Sequence, residues 1–364
     1  MTCSNCSIIL PIKDQGLLKI RHSRVSLAQV LDNLGMLSEQ MKQEQGREDG
    51  IAFCYDSPAV LEQLMDRLAC LPKEWLLHME GVVTGSFHVE GYEDWLPFSQ
   101  LQARIKHPDV MKIIVDQSFS NHMQPIIDHK LDIIGFEFLL RPSHPQRPFQ
   151  PFRLFEIARA AGLHAHLDRS ARISAIEKSA TCLPAGIKRF INFLPSTIYN
   201  PTYCLHHTFD TIDRLSMNTE DFVFEVVETE EINDLNVLHH IFEQYRNRGI
   251  SVALDDVGAG YSTTELMNRL QPDYVKIDRS LINGCYRNSD QQRQIMGIVE
   301  SAFHFGGQVL AEGVEQLEDF EFCREAGVSL AQGYLFGKPE PSPPSNFMLS
   351  SVMWSETNLS IRNL

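Results

Sequence analysis

The sequence has no apolar run long enough to cross a bilayer as a helix. Its one early apolar stretch, Ile8 to Ile12, is too short for the core of a secretion signal and lacks a basic start. The expected location is therefore cytoplasmic, with no membrane partner. Positive charge is scarce: 32 Lys and Arg stand against 47 Asp and Glu, a net charge of −15. That balance excludes a coat for a nucleic-acid polymer, which needs a basic face. An acidic chain that handles anions must bring positive charge to the site by other means. Repeats and low-complexity tracts are absent, and the glycine, proline and charged fractions are ordinary, so disorder is not the default. The eight cysteines are scattered, and in a reducing compartment they are expected as thiols. What is present is a chain of 364 residues, 43% of them hydrophobic, enough for one large domain and a smaller one.

From about Asn121 onward, β-like runs alternate with helical runs. The strand candidates are Met123–Asp128, Ile133–Leu140, Phe190–Phe193, Phe222–Val227, Ser251–Asp255, Tyr274–Ile277, Gln308–Ala311 and Leu330–Gln332. The clearest helix between them is Asp234–Arg248, where Leu235, Leu238, Ile241, Phe242 and Tyr245 share one face. Asn233 or Asp234 can cap its start and Gly249 can end it. Alternating β and α elements argue for a parallel sheet, and eight strands argue for a closed α/β barrel of the (β/α)8 TIM type. An open doubly wound sheet is the rival that pattern alone leaves standing. Residues 1–107 read as a small α+β segment: Leu27–Gln45 helical, Ile51–Cys54 extended, Pro58–Leu71 helical. The barrel is expected over 108–345, with a tail over 346–364.

The polar residues of the barrel part fall at the ends of the expected strands. Glu137, Asn192, Glu225, Asp255, Asp256, Lys276, Glu312 and Gln332 all occupy such places, where the active sites of these barrels lie. The commoner reading of a single acid after a strand is a helix N-cap, and Asp255 and Asp256 could cap a helix after Gly260. Lys276 alone could be a salt-bridge partner. Five acids, two amides and a lysine at successive strand ends converge only if they surround something, because charges buried this way are costly unless paired or metal-bound. Oxygen donors of this kind suit hard cations such as magnesium or manganese, and the His/Cys set of structural zinc is missing. Adjacent aspartates suggest two metals, the arrangement used in phosphodiester cleavage.

These motifs resemble the EAL-domain phosphodiesterases, which hydrolyse cyclic di-GMP to the linear dinucleotide pGpG. The signature tripeptide reads Glu137-Phe138-Leu139 within Gly135-x-Glu137-x-Leu139-x-Arg141. Met123-Gln124-Pro125-Ile126 matches the family's first strand, and Asn192 its asparagine. Glu225-Val226-Val227-Glu228 matches Glu-x-Thr-Glu. Asp255-Asp256-Val257-Gly258-Ala259-Gly260-Tyr261-Ser262 resembles Asp-Asp-Phe-Gly-Thr-Gly-Tyr-Ser. Lys276-Ile277-Asp278, Ala311-Glu312-Gly313-Val314-Glu315 and Gln332-Gly333-Tyr334-Leu335-Phe336-Gly337-Lys338-Pro339 complete the pattern.

The resemblance implies that Glu137, Asn192, Glu225 and Asp255 hold one divalent cation and Asp256 helps hold a second. It implies magnesium or manganese as cofactors and inhibition by calcium, with water as the nucleophile. Lys276 and Glu312 are then catalytic, and Gln332 supports the metal-water network. Gln124, Leu139 and Arg141 contact the dinucleotide, and Glu228 anchors the aspartate loop. A homodimer is the implied assembly. Four residues, in three places, depart from the pattern. Phe138 replaces alanine, and strand alternation turns it outward, away from Glu137. Val257 and Ala259 alter the aspartate loop, and Val227 removes a hydroxyl beside Glu228.

Two rivals stand beside the enzyme: a barrel that binds cyclic di-GMP as a receptor without cutting it, and a metal phosphodiesterase for another nucleotide. Receptor relatives lack one or more of the site acids or the lysine, and none is lost here; Gln124 and Arg141 argue against another nucleotide. No Gly-Gly-Asp/Glu-Glu-Phe signature is present, so no synthase partner domain is expected in the chain. Cys3 and Cys6 form a Cys-x-x-Cys pair without a second pair at matching spacing, which favours ordinary thiols over zinc. The N-terminal segment matches no input domain, and a sensor, a dimerisation element and a partner-binding surface are its open roles.

Overall fold

A computed structural model describes residues 12, 14–24, 29–30, 50–85, 95–227, 235–259 and 263–344 of the chain. The expected helix Leu27–Gln45 is described only at its residues 29 and 30, and Cys3, Cys6, Glu228, Asn233, Asp234 and Gly260 to Ser262 lie outside the described residues. Contacts divide the chain into two compact units. One comprises the described residues up to Ser118 together with Pro142–Leu167; the other comprises Phe119–Arg141 and the described residues from Asp168 onward. The division falls at Ser118, beyond the boundary expected near His107, and it takes Pro142–Leu167 into the first unit.

The first unit is built on a sheet of β1 (Gly16–His22), β2 (Gly50–Tyr55), β3 (Met79–Gly85) and β4 (Leu96–Pro97), in the order β2-β1-β3-β4. Alternation puts Leu18 and Ile20 of β1 and Phe53 of β2 into the core with helix Pro58–Leu68. That helix follows an extended Ser57 and starts with Pro58, whose fixed φ suits the first turn; Leu61, Leu64, Met65 and Leu68 form its buried stripe.

The second unit is a closed barrel. Its strands are β5 (Phe119–Asp128), β6 (Ile133–Pro142), β7 (Lys188–Phe193), β8 (Phe222–Val226), β9 (Ser251–Val257), β10 (Tyr274–Ile277), β11 (Gln308–Ala311) and β12 (Leu330–Gln332). Each contains an expected strand except β8, which ends at Val226, one residue short of the expected Val227, and closure disposes of the open-sheet rival. The sheet is not wholly parallel, however. From β6 round to β12 neighbours run parallel, but β5 runs antiparallel to β12, with Gln332 opposite Ile126. The cause is the short link 129–132, closed by the Asp128 N–H on the Asp132 carbonyl (3.0 Å), which turns the chain straight back. A parallel return needs a crossover of a dozen or more residues.

Side-chain alternation sorts the barrel into layers. Outward-facing Phe136, Phe138, Ile191, Phe193, Phe224, Leu254, Val257 and Ile277 belong to the large core beneath the helices. Inward-facing Ile126, Phe190, Val223, Ala253, Tyr274, Leu310 and Leu330 form a separate apolar plug. Two residues further along each parallel strand, on the same inward face, stand Asn192, Glu225, Asp255, Lys276, Glu312 and Gln332. On the reversed β5 the offset changes sign, and Gln124 lies two residues before Ile126. On β6 the plug position below Glu137 is Gly135. A Cβ there would lie 2.8 Å from the Lys188 Cβ and carbonyl oxygen and 3.2 Å from the Phe190 ring. Gly135→Ala should therefore cost about 1–3 kcal/mol of stability by overpacking, read as a lowered urea midpoint. An unchanged midpoint would mean that Phe190 and Lys188 yield freely.

Candidate active site

The polar layer closes around Lys276. Its side chain is 1% exposed, and its Nζ lies 2.7 Å from Glu312 Oε1, 2.8 Å from Asp255 Oδ1, 3.0 Å from Glu225 Oε2 and 3.6 Å from Glu137 Oε1. A lone salt-bridge role for Lys276 is thereby replaced by one cation shared among four acids. The amides organise the other side. Asn192 Nδ2 donates to Glu137 Oε1 (3.0 Å), and Gln332 Nε2 donates to Glu137 Oε2 (2.6 Å) and Gln124 Oε1 (3.1 Å). Gln124 Nε2 in turn donates to the Gly337 carbonyl (3.1 Å). The strand reversal thus puts Gln124 on the same rim as the acids. Leu139 and Arg141 lie further along β6 on the face of Glu137 and are half-buried, and Arg141 donates to the Leu140 carbonyl (2.8 Å).

Asp255 and Asp256 are not caps. Helix Thr264–Leu270 is capped by Thr263, whose side chain accepts from the Leu266 N–H (3.1 Å). Asp256 instead adopts φ +52, a left-handed conformation uncommon outside glycine, and its N–H donates to Asp255 Oδ1 (3.1 Å). Asp255, Asp256 and Glu312 offer carboxylate oxygens within 4.8 Å of one another. Asp278, to which the motif reading attached no role, lies beside the Asp256 carboxyl and helps to raise its pKa. The signal for it was its place two residues after Lys276 on the same strand end.

Burial and crowding set the charge states. Burial, with Asp255 and Glu137 close by, pushes the Glu312 carboxyl well above the ordinary range. Glu225 is raised likewise, by burial and by Glu137 and Asp255, against the pull of Lys276. Burial also works to raise Glu137, but Lys276 and the Gln332 and Asn192 amides outweigh it and hold that carboxyl below its usual value. The contrast is geometric: both Glu137 oxygens accept an N–H, whereas Glu225 Oε1 is buried with no hydrogen-bond partner. Asp256 is pushed up to about 7 by burial and by Asp255. Burial opposes the Lys276 charge, yet the surrounding carboxylates raise its pKa well above normal and keep it an ammonium.

This donor set fits a divalent cation. The orphaned Glu225 Oε1 and Gln332 Oε1 and the three-carboxylate cluster are hard oxygen donors with unused lone pairs. Cation uptake there would be coupled to loss of the protons that burial retains. Among the described residues, the Asp255, Asp256 and Glu312 group is the one His/Cys/Asp/Glu cluster with ligand spacing, and Cys54 and Cys70 are free thiols outside it.

Fold and site together define an α/β barrel carrying a carboxylate, amide and lysine ring at one mouth. The EAL domain model matches residues 109–339, and the chain belongs to that family. It is 30% identical over 231 residues to the probable cyclic di-GMP phosphodiesterase PdeG of Escherichia coli, covering 59% of this chain and 43% of that protein. It is also 30% identical over 272 residues to the blue light- and temperature-regulated antirepressor BluF of Escherichia coli, covering 74% of this chain and 64% of BluF. Matches to two further curated relatives span 35% and 36% of their lengths, so the chain covers less than half of several of the proteins it resembles. Among solved structures, a standalone EAL protein from Vibrio cholerae in its cyclic di-GMP-bound form is 32% identical. It superposes with a TM-score of 0.57 over 62% of this chain and 94% of that one. No described helix is long and apolar enough to cross a membrane.

Proposed function

We propose that the barrel is a metal-dependent phosphodiesterase that opens one phosphodiester bond of cyclic di-GMP to give linear pGpG. The observation that carries this reading is the ring of Glu137, Glu225, Asp255 and Glu312 around Lys276, with Asp256 beside it. Glu137, Asn192, Glu225 and Asp255 would hold one magnesium or manganese ion, and Asp256 would help hold a second. Bound divalent cations polarise a phosphoryl oxygen and lower the pKa of water. The chain's own groups do the rest. The Lys276 ammonium neutralises charge that develops on the phosphate. Glu312, raised by burial, holds or accepts a proton beside it. The planar fork of Arg141 suits a phosphate oxygen. Gln124, fixed between Gln332 and the Gly337 carbonyl, and Leu139 would line the dinucleotide's path. Glu228, outside the described residues, is assigned to anchoring the aspartate loop on motif grounds alone.

A second reading, a binding and regulatory module, draws on the antirepressor name of BluF. One assay separates the two. Purified protein with cyclic di-GMP should yield the linear dinucleotide with magnesium or manganese, none in excess chelator, and little when calcium replaces them. Tight binding of cyclic di-GMP with manganese present and no conversion would establish the second reading instead. Full turnover in chelator would overturn the metal dependence.

A further inference from the structure

Two of the three clustered carboxylates, Asp255 and Asp256, stand at the end of β9 and the third, Glu312, just after β11, and one helical turn lies against the segments that follow both. That turn, Arg279–Ile282, begins three residues after Lys276 and is capped by Asp278, whose carboxylate accepts from the Ser280 N–H (2.9 Å). On one side it meets Gly258, at φ +100, two residues after Asp256. A Cβ on Gly258 would overlap Leu281 Cδ1, lie 3.2 Å from its Cγ and reach within 3.8 Å of Ile298. On the other side it meets Gly313, at φ +62, next to Glu312; a Cβ there would lie 2.5 Å from that of Arg279. Both positions need glycine twice over, for backbone conformation and for the side chain seated on it.

The backbone makes the same connection. The Asp278 N–H donates to the Val257 carbonyl (3.2 Å), and the Glu312 N–H donates to the Ile277 carbonyl (3.1 Å). The turn is itself held from behind: Gln291 Nε2 donates to the Ser280 carbonyl (2.8 Å) and the Asn283 carbonyl (3.2 Å). Beyond it, the Asp319 carboxylate accepts from the Gly284 and Tyr286 N–H groups (3.0 and 3.1 Å). Asp256 keeps its left-handed conformation inside a turn closed by the Ala259 N–H on the Asp256 carbonyl (3.1 Å), and Leu281 packs directly under that turn.

We infer that Leu281 is a positioning residue: wedged under Gly258, it sets how far Asp255 and Asp256 stand from Glu312 and thereby the cation affinity of the cluster. The inference rests on reading that cluster as a metal site. Leu281 touches no reacting group, so its effect passes through the loop.

The test compares Leu281→Ala, Leu281→Val and Leu281→Met with Ile212→Ala, a buried truncation on helix His206–Arg214. Manganese affinity is read from the electron paramagnetic resonance of free ion without substrate, beside melting temperature, kcat and KM. Leu281→Ala should weaken manganese binding about tenfold or more, the loss typical when support of a ligand is removed. Its kcat should fall and its KM stay close to wild type. Leu281→Met, which conserves volume, should restore both, and Leu281→Val should fall between, which keeps the comparison open if the alanine variant does not fold. Ile212→Ala should lose comparable stability at unchanged manganese affinity. Wild-type affinity in the Leu281 truncations, or an equal loss in Ile212→Ala, would overturn the inference. A wild-type protein that binds manganese but leaves cyclic di-GMP intact would overturn the enzyme reading and leave the affinity comparison to decide the role of Leu281. A wild-type protein that binds no manganese would overturn both.

Discussion

Lys276→Met should abolish hydrolysis and, in metal-free protein, lower stability by about 3 kcal/mol or more, the usual cost of leaving a buried ion pair half broken. Methionine nearly matches the lysine stem, so the change removes charge more than volume. Four carboxylates lose the one ammonium they share, at 2.7 to 3.6 Å. Glu137, now held below its ordinary pKa with Lys276 as the strongest pull, loses most of that support. Glu225 and Glu312 already lie above the unfolded range through burial and mutual repulsion. The sign of the pH effect follows. Carboxyls raised in the folded state bind more protons there than in the unfolded chain, so the variant's deficit grows as pH rises. Urea unfolding at several pH values, with and without manganese, measures it, and manganese should recover part of the loss by restoring positive charge. Turnover should drop by about a hundredfold or more, the scale for removing one charge-stabilising group. Wild-type stability and turnover in Lys276→Met would mean that the ring is not an electrostatic unit.

The neighbouring pair Glu137 and Phe138 should separate chemistry from packing. Glu137→Ala removes the acceptor of the Asn192 and Gln332 amides and one partner of Lys276 together. It should abolish measurable turnover, a loss of about a thousandfold or more for a group that organises several others, while the protein still folds. Phe138→Ala should do the reverse. Phe138 is buried in the outer core and not in the polar layer, so its truncation should cost about 3–5 kcal/mol in stability. Much of the turnover per folded molecule should remain. Melting curves beside kcat of the folded fraction decide it. An inactive Phe138→Ala beside an active Glu137→Ala would reverse the assignment of the strand's two faces.

Much of this candidate site is legible in the sequence. Runs such as Phe222–Val227 and Ser251–Asp255 announce strands by their own composition. Alternation then assigns faces, which is why Phe138 could be turned outward from Glu137 on sequence alone. The reversal of β5 was also written locally, in the short link 129–132, but periodicity does not register strand direction. Its consequence, Gln124 on the rim with Gln332, therefore emerged only from the pairing. Capping was ambiguous for a different reason. Thr263 and the aspartate pair are all competent caps, and only the placed backbone shows that Thr263 takes the role.

Which residues could meet was set locally, because chirality and the two-residue repeat of a strand are properties that each strand carries without its neighbours. Tertiary structure alone decided what those residues became. Glu137 and Glu225 are the same side chain beside the same lysine, yet one is held ionised and the other pushed toward the neutral acid. The difference lies in two amide donors brought from Asn192 and Gln332, far away in the chain. The need for glycine at positions 258 and 313 likewise comes from one turn lying across two separate loops. Charge state and steric exclusion depend on distances between groups far apart in sequence, and those distances exist only once the barrel closes.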